Sequence, residues 1–432
     1  MWGPMQRLRV DSQVARALNR ATVFDLLRTR KVISRIALAR ETGFSKATIS
    51  EIVDQFIREG FVRELGPGQS SGGRRPTLLE FDPRARYAIG LELGDAACSA
   101  VLTDLNAEPI QTLSRAVRAQ NGDDAVSAAI QLVGELKADL PNGSLLGVGV
   151  GTPGLVDSAR GVIQMAPDLG WQDVPVGPPL AEEFALPVAV VNRAKAAALG
   201  EAWCGAGRQV DNLIYVSLST GIAAGVVIGG RLYRGVSMSE GELGHVTVVP
   251  DGPLCRCGNR GCLQALAGAE AILSRLRQRL RDGQPTLMED LANGKLDLLT
   301  LQMVAQGAAA GDALVLSVLD EVAAYVGTAA ANLINILNPR MLVLGGSIIR
   351  ALPSLVPRIE AEIRRRAMAV PFAAVQIVPS QLKGNAVPVG AAAFLLSQVS
   401  VVDSPALRSP AAVVDDGAHS STSRQVTRRG SV

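Results

Sequence analysis

Three cysteines and one histidine stand close together near the middle of this 432-residue chain. His245 is followed by nine residues and Cys255, then by one residue and Cys257, then by four residues and Cys262. The only other histidine, His419, lies close to the C-terminus. Three thiolates and one imidazole suit a closed tetrahedral zinc site, structural because no position is left for a substrate. Gly258 and Gly261 give the intervening loop the freedom to return Cys262 to the metal. The competing reading, buried thiols beside a satisfied histidine, is disfavoured by this spacing. Cys98 and Cys204 read as plain core residues.

A second constellation is basic. Residues 1–86 hold 16 Lys and Arg against 9 Asp and Glu, a net charge of +7; the remainder holds 27 against 31, or −4. A basic head on a mildly acidic body points to a polyanion partner for the head alone. Within it, Val14, Ala17, Ala21 and Phe24 are spaced three and four apart, which predicts a helix over 13–30. A short helix from Ser34 as N-cap to Glu41 follows, then Thr42–Gly43–Phe44 and a second cap, Ser45. Beyond Ser45, the residues Ile49, Val53, Phe56 and Ile57 form one apolar stripe that Gly60 closes. This is the helix-turn-helix plan, with Gly43 at the tight turn. Ser45, Lys46, Ala47, Thr48 and Ser50 then open a recognition helix whose small and hydroxyl side chains can approach base edges. Two strands, Phe61–Leu65 and Thr77–Phe81, flank a loop with Gly72–Gly73–Arg74–Arg75–Pro76. Arg74 and Arg75 can lie in a minor groove as a wing. The bland alternative is a three-helix bundle with an ordinary surface loop.

From Tyr87 the texture changes. Strands are predicted at Ala88–Leu93, Ala100–Leu105, Leu145–Val150 and Val188–Val191, with helices near Asp124–Leu140 and Ala194–Trp203. The pattern recurs as Asn212–Leu218, Ala223–Ile228, a helical region over Gly268–Leu337, and strand Met341–Leu344. Alternating strands and helices give an α/β architecture, and the two similar sets hint at two related lobes. Hydrophobic residues make up 48% and charged residues 19%, which excludes disorder for most of the chain. Aromatics are only 3%, so the core is expected from Ala, Val, Leu and Ile. No uninterrupted apolar run nears membrane-spanning length, the closest being Ala391–Val402, and no apolar signal-peptide core follows the N-terminus. A soluble cytoplasmic protein without a membrane partner is expected.

Gly235…Glu240–Gly241–Glu242–Leu243–Gly244–His245, followed by Cys255-x-Cys257–Gly258–Asn259–Arg260–Gly261–Cys262–Leu263, resembles the signature of the ROK family (repressors, open reading frames, sugar kinases). The head and its Gly-Gly-Arg-Arg-Pro wing resemble the DNA-binding domain of that family's repressors, such as those for xylose and N-acetylglucosamine. The resemblance runs over about residues 13–398. It implies a winged helix-turn-helix over 1–86, then a two-lobed actin-like, ribonuclease-H-like sugar-kinase fold over 87–398. A C-terminal helix would return to the first lobe, and 399–432, rich in Ser, Pro, Asp, Arg and Thr, would be a disordered tail. The resemblance places Asn192, Glu242 and His245 in a sugar pocket near Gly151–Gly154. It also implies Gln264, where the family often has glutamate, and Asp168, where relatives often carry asparagine. One imidazole nitrogen of His245 can bind metal while the other faces the ligand.

Three departures bear on activity. Family kinases carry Asp-x-Gly-Gly-Thr in the first phosphate loop; here it reads Glu92–Leu93–Gly94–Asp95–Ala96. They use an Asn-Asp pair whose aspartate is the general base; here it is Asn192–Arg193, and arginine cannot act as a base. Ser219–Thr220–Gly221 replaces the usual Gly-Thr-Gly. The expectation is a sugar-responsive DNA-binding transcriptional regulator, a repressor of carbohydrate genes without kinase activity, acting as a homodimer or tetramer on operator DNA. Two alternatives are a sugar kinase with a fused DNA-binding head and a constitutive DNA-binding protein with a ligand-blind scaffold. Arg193 either pairs with Glu92 across the former phosphate site or, with Lys195, receives an anionic effector.

Overall fold

In the computed structural model, residues 12–67, 75–94, 96–117, 122–282, 284, 286–292 and 294–398 are described. Arg74, Asp95 and the predicted tail 399–432 lie outside them. The basic head forms α1 (Ser12–Arg30), β1 (Val32–Ser34), α2 (Arg35–Thr42), α3 (Lys46–Arg58), β2 (Val62–Pro67) and β3 (Thr77–Phe81). Both predicted caps are present: the Ser34 hydroxyl accepts from the Ala37 amide and the Ser45 hydroxyl from the Thr48 amide. Each satisfies a backbone donor that a helix start otherwise leaves unpaired. Gly43 ends α2 at φ +74°, a left-handed conformation that favours glycine. The three strands form one sheet in the order β1-β3-β2, with β2 and β3 as the hairpin. The head's core is mainly aliphatic, as expected, with a cluster of phenylalanines added to it. Phe24 meets Phe56, Phe61 and Phe81 at ring-centroid distances of 5.3 to 5.8 Å, mostly edge-on. Five of the chain's eight phenylalanines lie in the head, and four of them form this cluster.

The body begins with β4 (Tyr87–Leu93), β5 (Ala97–Thr103) and β6 (Pro109–Ala116), an antiparallel meander, followed by α4 (Gly122–Ala138) and β7 (Leu145–Thr152). A small antiparallel sheet of β8 (Leu155–Asp157), β9 (Val162–Ala166) and β10 (Trp171–Pro175) comes next. Then come α5 (Gly177–Phe184), β11 (Val188–Asn192) and α6 (Arg193–Cys204). The main sheet of this lobe has the order β11-β7-β4-β5-β6, with β4, β7 and β11 parallel.

The second lobe repeats the plan. β12 (Leu213–Leu218), β13 (Ile222–Ile228) and β14 (Arg231–Leu232) form a meander. The helices α7 (Leu263–Ala267), α8 (Ala269–Arg281), α9 (Met288–Leu291), α10 (Leu301–Ala309) and α11 (Ala313–Leu337) precede β15 (Met341–Gly345). After α12 (Ser347–Ala351), α13 (Leu355–Arg366) and α14 (Ala369–Ala374), β16 (Gln376–Pro379) completes the sheet β14-β13-β12-β15-β16. Numbered within each lobe, both sheets read 3-2-1-4-5, so the two lobes share one topology. Strands 1, 4 and 5 are parallel in both, and ligands of such sheets gather beyond the carboxyl ends of the parallel strands. The last helix, α15 (Ala386–Gln398), lies against β4, β7 and α6 of the first lobe. The long helix α11 has the length and apolarity of a membrane span, more so than Ala391–Val402. Its buried Leu314, Val318, Val322, Val326 and Ile334 instead form the core of the second lobe.

Candidate effector cleft and metal centre

The carboxyl ends of β4, β7 and β11 bring Glu92, Thr152 and Asn192 to one edge of the first lobe, with Glu92 opposite Gly151 and Asn192 opposite Thr152. Asn192 is an N-cap: its side-chain oxygen accepts from the Ala194 amide, and its side-chain amide donates to the Gly154 carbonyl, each at 2.9 Å. It therefore holds the Gly151–Gly154 loop against the start of α6, with one donor and one acceptor position left over. Arg193 follows it as the first residue of α6. Glu92 and Arg193 lie near the ends of strands two apart in the sheet, about 10 Å at normal strand spacing. Both are engaged by partners in the structure. Lys195, which the anionic-effector alternative set beside Arg193, is committed elsewhere. Its ammonium is 2.8 Å from Glu240 and donates to the Met238 carbonyl at 2.5 Å, with 8% and 10% of the two side chains exposed. That ammonium is neutralised inside the protein and is not available to an effector anion.

The second lobe supplies the other wall. Gln264, on α7, accepts from the Ile222 amide at 3.2 Å. A Cβ placed on Gly221 would be 3.6 Å from Oε1 of Gln264 and 3.7 Å from Oδ2 of Asp168, so these two predicted residues converge on Gly221 from opposite lobes. The Asp168 carboxylate, in the turn between β9 and β10, accepts from Arg256 at 3.0 Å. Arg256 lies between Cys255 and Cys257, and its contact across the cleft was not foreseen from the sequence. Glu242 is half-buried, and burial pushes its carboxyl up, against the opposing pull of His245 and Lys195. Its Oε2 is 4.0 Å from Nε2 of His245.

The other imidazole nitrogen faces the cysteines. His245 Nδ1 is 3.6 Å from the Cys255 sulfur, and the Cys257 and Cys262 sulfurs are 3.7 Å apart. All four donor atoms lie within 4.8 Å of one another, an arrangement that could hold a metal ion. A short 3-10 turn, Leu243–His245, delivers the imidazole, and Gly261 makes the loop possible. At φ +65°, a side chain there would strike the Val249 carbonyl at 1.5 Å. Burial pushes the Cys262 thiol up to about 12, aided by its cysteine neighbours, while the Asn259 amide lowers Cys257. A cation among them would be needed for all three sulfurs to become thiolates together. Cys98 and Cys204 are pushed up to about 12 by burial, as core thiols are.

Residues 88–398 match the ROK family. The chain belongs to the ROK family. The xylose repressor of Bacillus subtilis (strain 168) is 31% identical over 388 residues, covering 89% of this chain and 97% of that protein. A solved ROK family transcriptional regulator, a homologue of the Escherichia coli MLC protein, superposes with a TM-score of 0.78 at 28% identity. That match covers 90% of this chain and 98% of the other. The family also contains kinases: a glucokinase of Halalkalibacterium halodurans is 34% identical over 290 residues, 66% of this chain and 87% of its own. The regulators match nearly the full described length of this ROK chain, whereas the kinase matches about the extent of the two lobes.

On the head of this ROK protein, Ser45, Lys46 and Ala47 are exposed, and Thr48 and Ser50 half-buried, at the start of α3. The Ser45 hydroxyl is spent on the cap and on the Thr48 hydroxyl, 2.8 Å away, which leaves Lys46 and Ala47 as the free face. Arg75 is exposed at the entry to β3. Arg35 was not singled out from the sequence; it pins α2 to Asp54 of α3 and Glu64 of β2.

Proposed function

We propose that this protein is a sugar-responsive transcriptional repressor in which residues 1–86 bind operator DNA and residues 87–398 bind the effector. The observation that carries the reading is the joining, on one chain, of a capped helix-turn-helix head to a two-lobed cleft. Around that cleft Asp168 and Gln264 meet at Gly221 and Glu242 lies beside His245; we assign Asn192, which holds the Gly154 carbonyl, to the same pocket. Such a set of carboxylate, amide and imidazole groups suits the hydroxyls of a sugar. Lys46, Ala47 and the half-buried Thr48 and Ser50 present the recognition helix to the major groove, with Ser45 fixing its first turn. Arg74 and Arg75 extend the wing to the sugar-phosphate backbone. The relatives named as repressors support the same reading, and a dimer or tetramer in the cytoplasm would present paired heads to paired half-sites.

Zinc is the metal that the His245, Cys255, Cys257 and Cys262 donor set fits. Zn–S bonds of about 2.3 Å and Zn–N bonds of about 2.0 Å, arranged tetrahedrally, separate ligand atoms by about 3.5–3.8 Å. The His245–Cys255 and Cys257–Cys262 separations, 3.6 and 3.7 Å, fall in that range, and all four donor atoms lie within 4.8 Å of one another. When bound, the ion would brace the loop 255–262 and fix the imidazole so that Nε2 faces Glu242.

Phosphoryl transfer is not part of this reading. Arg193 occupies the place of the general base, and Asp95 and Ala96 stand where a phosphate cradle needs glycine and threonine. On this reading Glu92 and Arg193 would meet as opposite charges across that site. The head assignment is tested by DNA binding over a salt series. Arg75→Ala is expected to weaken binding and to lower the salt slope by about one unit per lost phosphate contact. Equal slopes for wild type and variant would refute the wing.

A further inference from the structure

Helix α6 begins at the cleft, with Asn192 as its cap, and its last turn meets α1 of the DNA-binding head. Its backbone is in direct contact with its neighbours. A Cβ on Gly200 would meet the Ala386 carbonyl at 2.5 Å, and one on Gly390 of α15 would meet the Ala196 carbonyl at 1.7 Å. On the other side, a Cβ on Gly225 of β13 would meet the Ala194 carbonyl at 2.5 Å. With no side chains between them to give way, a displacement of α15 or of the second-lobe strand is passed to α6 directly. The last turn is tied to the segment that follows β16 of the second lobe as well. The fully buried Glu201 carboxylate accepts from the Ala206 amide, the Ser380 hydroxyl and the Leu382 amide at 2.5–3.0 Å.

Two residues further on, the indole of Trp203 lies under the guanidinium of Arg28, which is 4.0 Å from its ring centroid. Arg28 belongs to α1 of the head. Its side chain is only 19% exposed, and its buried Nε has no hydrogen-bond partner. A desolvated guanidinium facing an indole gains strength from the low local dielectric, and this geometry ties the head to α6. Cys204 beside it reaches the Asn106 carbonyl at 3.2 Å, so the joint also touches the first-lobe meander.

We propose that Arg28 and Trp203 are positioning residues that transmit the state of the cleft to the head. The proposal rests on the reading that the cleft takes a sugar. The twelve residues of α6 span about 18 Å, so a rotation of about 10° imposed at the Asn192 end moves the Trp203 end by about 3 Å. That displacement changes the seating of α1, and with it the angle at which α3 meets DNA. A stiff rod with a ligand at one end and an aromatic joint at the other is a two-ended element that both sites can bias.

The test is hydrogen–deuterium exchange on the full-length, zinc-loaded chain, with and without D-xylose or D-glucose. In wild type, sugar should slow exchange in the cleft segments, the start of α6 and residues 242–264. It should also change exchange in α1 by about twofold or more. Trp203→Ala and Arg28→Ala should keep the cleft response and lose the α1 response, whereas Arg28→Lys, which retains a cation over the ring, should keep both. A merely structural contact would shift α1 exchange equally with and without sugar and leave the sugar-dependent difference intact; that result overturns the proposal. A cleft indifferent to both sugars would overturn the sugar reading, and the proposal with it. A cleft response without any wild-type response in α1 would overturn the joint alone. If Trp203→Ala does not fold, Arg28→Ala, on the other partner, gives the same discrimination.

Discussion

Lys195 and Glu240 form an ion pair sealed between α6 and the loop that leads into Glu242. The pair is 2.8 Å apart with about nine-tenths of each side chain buried. Glu240 also accepts from the Gly235 amide at 2.9 Å, and Lys195 donates to the Met238 carbonyl, so the pair fixes the loop 235–240 at both ends. Removing one partner strands the other charge in a dry site, which costs about 3–5 kcal/mol. Lys195→Met leaves the Glu240 carboxylate facing a carbonyl, and Glu240→Gln leaves the ammonium with a neutral partner. The double variant should cost much less than the two together, since no charge remains unpaired. For a body of this size, about 3 kcal/mol corresponds to a fall in Tm of about 4–5 °C. Thermal melts of the zinc-loaded protein, wild type and the three variants, complete the cycle. If each single change costs less than about 1 kcal/mol and the two add, the pair is screened like a surface bridge and the reasoning fails.

Three further outcomes are expected. Purified protein should carry one zinc per chain, and Cys257→Ser should lose it together with the effector response while the head stays folded; elemental analysis and circular dichroism check both. Burial pushes the Asp312 carboxyl up, but the Val315 and Leu287 amides and the Thr286 hydroxyl outweigh it and hold it below its ordinary value. Its stabilising effect on α11 is therefore complete above the ordinary carboxylate range and fades as pH falls toward the lower folded value. Asp312→Asn should be less stable than wild type by about 1 kcal/mol at pH 7, and its Tm gap should narrow below about pH 4. Arg193→Asp should not phosphorylate any sugar in a coupled ATP assay, because Asp95 and Ala96 still spoil the phosphate cradle. It should also shift effector affinity, and the swap of Glu92→Arg with Arg193→Glu should restore part of that shift. If Arg193→Ala abolishes the response to an acidic sugar while Glu92→Ala is neutral, Arg193 is an effector ligand instead.

Local signals were legible. Ser34, Gly43 and Ser45 are short-range cues, and each sits at the cap or turn expected of it. The His245 and Cys255–Cys262 spacing is likewise local, because a loop of that length can close only on itself. The recurrence of strand, strand, helix and strand foretold the common topology of the lobes. Asn192 was read as a sugar ligand, yet an asparagine just before a run of small helix formers is also an N-cap signal, and the structure uses it as one. The small sheet β8–β10 and helix α5 escaped because their residues alternate poorly and lie between turns. Contacts such as Lys195 with Glu240, Asp168 with Arg256 and Arg28 with Trp203 join residues 45 to 175 positions apart. No periodicity records such pairs; only the doubled lobe topology and the wedged position of α6 bring them together.

The central claim is that one chain couples a sugar in the cleft to DNA at the head. Fluorescence anisotropy of a labelled duplex taken from upstream of the protein's own gene, titrated at fixed salt with and without individual monosaccharides, measures that coupling. The account predicts a dissociation constant of about 10⁻⁸ M or tighter, weakened about tenfold or more by one sugar and unchanged by its stereoisomers. Binding no tighter than to an unrelated duplex, or specific binding indifferent to every sugar, would contradict it.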